Sequence, residues 1–173
     1  MKPIPAPRTD PPSSCCSDPR SDETLLCPEC STSGEPVDLI TVKALLKSSA
    51  LRRLESERYR FCPAPDCDVV YFDSSTRSRF HKADLLVRVG QKESDDPIPV
   101  CYCFDFTLAD LRRDVLSHGD SRIPAVIAEE IRAGHCACEV KNPAGSCCLG
   151  EVREAVKRIR SDMSKTSPDD SRG

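Results

Sequence analysis

Twelve cysteines in 173 residues, several of them in closely spaced pairs, constrain the fold more than any other feature of this chain. At about 7% of the residues they fall just under the share at which a short secreted chain reads as a disulfide scaffold. Hydrophobic residues make up 38% of the chain against 31% charged, and there is no Trp, so the apolar core must be small. Something other than core burial has to hold the loops together. Residues Met1 to Asp10 contain no apolar stretch of signal-peptide length, so the expectation is a cytoplasmic chain. In that reducing setting, cysteines at motif spacing act as metal ligands or redox groups rather than as disulfides.

Charge and apolar runs exclude two classes of partner. With 25 Lys and Arg against 28 Asp and Glu, the net charge is −3. A dedicated nucleic-acid binder needs a basic stripe, which this balance does not supply. The longest apolar runs, such as Pro124 to Ala128, are far short of the roughly 20 residues that span a bilayer, so no membrane insertion is expected.

Both ends are Pro-, Ser- and Asp-rich and poor in large apolar side chains, which predicts disordered tails over residues 1–24 and 162–173. An acidic, proline-marked stretch from Lys92 to Pro99 divides the remainder into modules at 25–95 and 96–161. In the first, Val37 to Thr41 is a strand candidate. Thr41 is placed to cap a helix over Val42–Leu54, with Leu45, Leu46, Leu51 and Leu54 near helical spacing. Tyr59 to Phe61, Val69 to Phe72, Arg79 to Lys82 and Leu85 to Val89 read as short strands. In the second module Thr107 and Asp110 form a capping-box pattern ahead of a helix over 108–117. Pro124 opens a second helix, with Ile123, Val126, Ile127 and Ile131 on one face and an end before Gly134. A third runs from about Cys148 to Arg160, with Leu149, Val152, Val156 and Ile159 on its apolar face. The expected class is α+β: a small zinc-stapled module followed by a short-helix module.

The first cysteine set is Cys27-Pro28-Glu29-Cys30 and Cys62-Pro63-Ala64-Pro65-Asp66-Cys67. Two short-spaced pairs on separate turns can meet around one tetrahedral zinc with no open position, which describes a structural site. The alternatives are two unrelated buried pairs or a redox dithiol, the latter without the βαβ pattern that usually surrounds one. The second set is Cys101-Tyr102-Cys103, Cys136-Ala137-Cys138 and Cys147-Cys148. Six thiols exceed what one tetrahedral ion needs, whereas a 2Fe-2S cluster takes two thiolates on each of two irons. A Rieske-type pair of His ligands is not available, because His135 has no partner at matching spacing and His81 and His118 lie elsewhere. Tyr102, Phe104 and Phe106 are placed to form an apolar collar around such a cluster. No catalytic constellation is recognisable, so the chain is not expected to be an enzyme.

In this order, Cys27-Pro28-Glu29-Cys30, Cys62 with Cys67, Val69-Val70-Tyr71-Phe72, Val100-Cys101-Tyr102-Cys103, and Cys138 followed by Asn142-Pro143 and Cys147-Cys148 resemble the N-terminal domain of CopZ-type copper chaperones. The second half is similar to the bacterioferritin-associated ferredoxin (BFD-like) 2Fe-2S domain. The resemblance covers about Cys27 to Gly150. It implies one Zn2+ on Cys27, Cys30, Cys62 and Cys67, and one 2Fe-2S cluster on Cys101, Cys103, Cys138 and Cys148. Cys138 is preferred to Cys136 because it lies four residues before the Asn-Pro turn, as the family's cysteine does; Cys147 remains the alternative to Cys148. The family's C-terminal heavy-metal domain, with its Met-x-Cys-x-x-Cys loop, has no counterpart after Gly150 in this sequence.

The function implied is metal homeostasis, with the cluster as a one-electron donor that reduces Cu(II) to Cu(I), the form thiolates carry. A copper carrier, a copper-transporting ATPase or a redox partner is the implied company. Two other readings stay open: a ferredoxin-like carrier without copper, and an interaction module holding zinc alone. Cys15, Cys16, Cys136 and Cys147 are left over, either as incidental thiols or as soft-metal ligands for Cu+.

Overall fold

The computed structural model describes residues 25–166. The tail expected over residues 1–24, with Cys15 and Cys16, lies outside them, as do residues 167–173. An antiparallel four-stranded sheet forms the first half, in the order β1 (Glu35–Val37), β2 (Tyr59–Phe61), β3 (Val69–Asp73), β4 (Ser78–His81). Every residue of β3 is buried, because its two faces serve different purposes. Val69 and Phe72 pack with Cys27, Cys62 and Cys67, while Val70 and Tyr71 join Val42, Leu46, Phe61 and Phe80 in the main core. Strict alternation would put Val69 and Tyr71 on one face; the register shift between them inserts an extra residue and re-aims the strand.

Two short helices, α1 (Leu39–Leu45) and α2 (Ser48–Leu51), replace the single helix expected over Val42–Leu54. The strand expected from Val37 to Thr41 ends at Val37, and Thr41 is buried inside α1 rather than capping a helix. The break falls at Leu46, whose extended backbone pairs with Leu85, with Leu86 N–H donating to Leu45 O at 2.8 Å and Lys47 N–H to Asp84 O at 2.9 Å. Backbone pairing with a distant segment thus outcompetes helix continuation. Leu85–Val89 contributes that single bridge and no further strand.

The second half opens with a hairpin, β5 (Pro99–Cys101) and β6 (Phe106–Thr107), followed by α3 (Leu108–His118), α4 (Ile123–Arg132), the single turn α5 (Cys138–Lys141) and α6 (Leu149–Thr166). The capping box forms as expected: Asp110 N–H donates to Thr107 Oγ1 and Thr107 N–H to Asp110 Oδ2. Gly119 closes α3 in the left-handed region. Leu111, Val115, Ile127, Val152 and Val156 form the second core, with Val126 left exposed. Helix α6 runs to Thr166, five residues past the boundary expected at 161, so residues 162–166 are helical rather than tail. Met163 on that extension packs against the second core, which gives the extra turn an apolar anchor.

The acidic stretch is pinned down. Arg88 pairs with Glu93 and donates to the carbonyls of Pro97 (2.9 Å) and Asp95 (2.8 Å). The two halves also share core. Helix α5 packs on α1, Ala144 is buried in the first core, and Tyr71 Oη donates to Pro143 O at 2.9 Å. Among the described residues no helix is long and apolar enough to cross a membrane.

Candidate metal centres

The first centre is built from two turns. Cys27 and Cys30 sit on a tight turn closed by Ser31 N–H to Cys27 O (2.9 Å) and Cys27 N–H to Thr32 O (2.8 Å), with Ser31 in the left-handed region at φ 57°. Cys62 and Cys67 flank the proline-rich loop between β2 and β3, whose base is held by Cys62 N–H to Val70 O at 2.9 Å. All four sulfurs lie within 4.8 Å of one another. Cys27 and Cys67 Sγ are 3.9 Å apart, and Cys30 and Cys62 Sγ 3.5 Å. Thiolates on a regular tetrahedral zinc are about 3.8 Å apart, from Zn–S bonds of about 2.3 Å, so the donor set fits a closed zinc site.

The surrounding groups favour anionic sulfur unevenly. Burial opposes ionisation of Cys30, but hydrogen bonds from the Thr32 side chain and backbone and from the Cys62 and Cys27 thiols outweigh it and bring it to about 6. Burial pushes the Cys62 and Cys67 thiols up, although the N–H groups of Ala64 and Val69 point at their sulfurs. Metal binding therefore has to displace protons from Cys62 and Cys67. Lys92, which is buried, crosses from the acidic stretch and donates to Ala64 O at 2.6 Å and Cys67 O at 3.0 Å, with its ammonium 5.9 Å from the centroid of the Phe61 ring. Its charge favours the Cys62 thiolate, and nothing in its local sequence marks it for that place.

In the second half the structure arranges four of the six thiols as two pairs. Cys103 Sγ and Cys138 Sγ are 3.6 Å apart, and Ala137 N–H donates to Cys103 Sγ at 3.3 Å. Cys101 and Cys148 form the other pair: the Cys148 thiol stabilises a Cys101 thiolate, helped by the N–H groups of Phe104 and Cys103, and holds Cys101 at about 6. Cys148 itself is driven up, first by that same hydrogen bond and then by burial. Burial and the Cys103 sulfur raise Cys138 to about 12. Among the described residues, only the Cys27 set draws three or more metal-binding side chains within 4.8 Å of one another, so these two pairs do not merge into one mononuclear cage.

A CopZ zinc-binding domain model matches residues 24–86, which span the whole first centre. A copper chaperone, CopZ of Archaeoglobus fulgidus, is 35% identical to this chain over 146 residues, covering 78% of this chain and 68% of that protein. The chain belongs to the CopZ family. The crystal structure of the N-terminal domain of A. fulgidus CopZ superposes with a TM-score of 0.64 at 33% identity, covering 75% of this chain and 96% of that one.

In this CopZ-family chain the two remaining described thiols of the second half differ in exposure, and Cys147 acts electrostatically on Cys138 and Cys148. Cys147 is exposed, Cys136 and Cys103 are half-buried, and Cys101, Cys138 and Cys148 are buried. Phe104 and Phe106 pack onto the second core around the hairpin. Tyr102 instead turns toward the 88–92 segment, accepting from Gly90 N–H at 2.8 Å and donating to Arg88 O at 3.1 Å. The histidines take part in peripheral contacts: His135 pairs with Glu130, His118 with Asp114, and His81 with Glu29 beside Cys30.

Proposed function

We propose that this chain is a metal-homeostasis protein with two centres of different kind. Cys27, Cys30, Cys62 and Cys67 hold a structural Zn2+ in the module over 25–95. Cys101, Cys103, Cys138 and Cys148 hold a 2Fe-2S cluster in the BFD-like module that opens at residue 96 and whose last helix runs to Thr166. The observation that carries the second assignment is the grouping of its thiols. Two pairs, one with its sulfurs 3.6 Å apart and the other joined by a hydrogen bond between Cys101 and Cys148, suit two irons with two thiolates each better than one zinc. That geometry also weighs against the zinc-only reading.

When bound, the cluster supplies a reversible one-electron couple. The chain's own residues tune its surroundings. Ala137, Phe104 and Cys103 aim N–H groups at the sulfurs, which stabilises the more negative, reduced state. Phe104 and Phe106 exclude water from one side. The substrate is a copper ion: Cu(II) accepts one electron and becomes Cu(I), the form that soft thiolate acceptors prefer. A copper carrier or copper-transporting ATPase then receives the Cu(I), and a separate redox partner resupplies the electron, with the cytoplasm as the proposed compartment.

The test is anaerobic mixing of reduced, desalted, cluster-loaded protein with Cu(II) and a chromogenic Cu(I) chelator. One Cu(I) formed per cluster, with bleaching of the reduced spectrum, supports the reading. An intact cluster that stays reduced while Cu(II) persists refutes the copper role and leaves an electron carrier.

A further inference from the structure

A buried hydrogen bond joins the two halves and reaches the loop between two of the proposed cluster ligands. Tyr71 lies on β3, four residues after Cys67, and is fully buried. Val69 and Phe72 of the same strand pack with the zinc-site thiols, while the register shift at Val70 turns Tyr71 to the opposite face. From there its hydroxyl donates to Pro143 O at 2.9 Å, across 72 residues of sequence. Burial pushes the phenol far above its usual range, so the donor stays protonated.

The accepting loop is stiff. Asn142 Nδ2 donates to Ser146 O at 2.6 Å, Ala144 N–H donates to Asn142 Oδ1 at 3.2 Å, and Asn142 N–H donates to Cys138 O at 2.9 Å. Gly145, at φ 68°, lies against Thr41 and Val37. Fixing Pro143 therefore fixes Cys138 on one side and Cys148 on the other.

We propose that Tyr71 is a positioning residue for Cys138 and Cys148, tying their loop to the strand on which the zinc centre is built. The inference rests on the cluster reading above only for its consequence, not for its geometry.

Tyr71→Phe in the full chain tests it, with Tyr59→Phe as control. Tyr59 is buried in the same core, but its hydroxyl bonds Ser78 instead of the loop. In zinc-loaded, iron-free protein, alkylation of Cys138 and Cys148 is expected to rise about tenfold in Tyr71→Phe, since a buried carbonyl loses its donor, and not in Tyr59→Phe. In cluster-loaded protein the visible circular dichroism and midpoint potential shift in Tyr71→Phe, with zinc content unchanged. Wild-type labelling rates in Tyr71→Phe, or an equal rise in both variants, overturn the proposal. If wild-type protein takes up no iron, the cluster reading fails, and the labelling comparison still decides the role of Tyr71.

Discussion

Replacing Gly145 by Ala probes the joint between the two halves. Gly145 has φ 68°, a conformation that costs an L-residue roughly 1–2 kcal/mol. Its added Cβ would also sit 3.1 Å from Thr41 Oγ1 and 3.3 Å from Val37 Cγ2, both in the first half. Thr41 is fully buried and Val37 nearly so, so neither has room to retreat, and overpacking of this kind costs roughly 1–3 kcal/mol. The expected loss is about 2–5 kcal/mol. Gly119 provides the reference: its φ is 74°, but nothing lies within 4 Å of its Cβ position. Gly119→Ala should therefore cost only the backbone part, about 1–2 kcal/mol. Urea unfolding of zinc-loaded protein, followed by far-ultraviolet circular dichroism, gives both values under one condition. If Gly145→Ala is no more destabilising than Gly119→Ala, the loop is not packed into the first core, and the shared-core account fails.

Three further outcomes follow from the structure. Lys92→Met removes the cation from Ala64 O and Cys67 O, and zinc affinity measured by chelator competition should fall on the order of 10–100-fold, as for other outer-shell partners; unchanged affinity would show that Lys92 only fills space. Thr107→Ala should destabilise the second half by about 1 kcal/mol in urea melts, through loss of the α3 cap. The Thr107 hydroxyl and N–H hold the Asp110 carboxyl below its usual range. Its contribution is therefore present above the ordinary carboxylate pKa of about 4 and lost as pH falls through the lower folded value, and Asp110→Asn should remove that part of the acid-side decline in stability.

The parts of this fold legible in the sequence are those decided locally. Thr107 and Asp110 announce α3 because the capping box is a contact between residues three apart. The Cys27 and Cys62 pairs announce a metal centre because the turn geometry of short-spaced cysteines is local too. What escaped depends on distant partners. Helical spacing from Val42 to Leu54 was overridden at Leu46 by pairing with Leu85, and the apolar run at Leu85–Val89 met only that one partner. Likewise the position of Lys92 in an acidic stretch suggested a linker, yet its side chain is buried at the zinc-site loop. The Tyr71 to Pro143 bond leaves no sequence signature, since neither residue's neighbours specify it.

Iron and zinc counted per chain, on protein purified anaerobically from iron-supplied cells, test the two-centre account most directly. The account expects about two Fe and one Zn, with Cys101→Ser or Cys148→Ser losing the iron and Cys30→Ser losing the zinc. Zinc alone, with no iron even after anaerobic reconstitution, would contradict it and leave a zinc-stapled module without an electron to give.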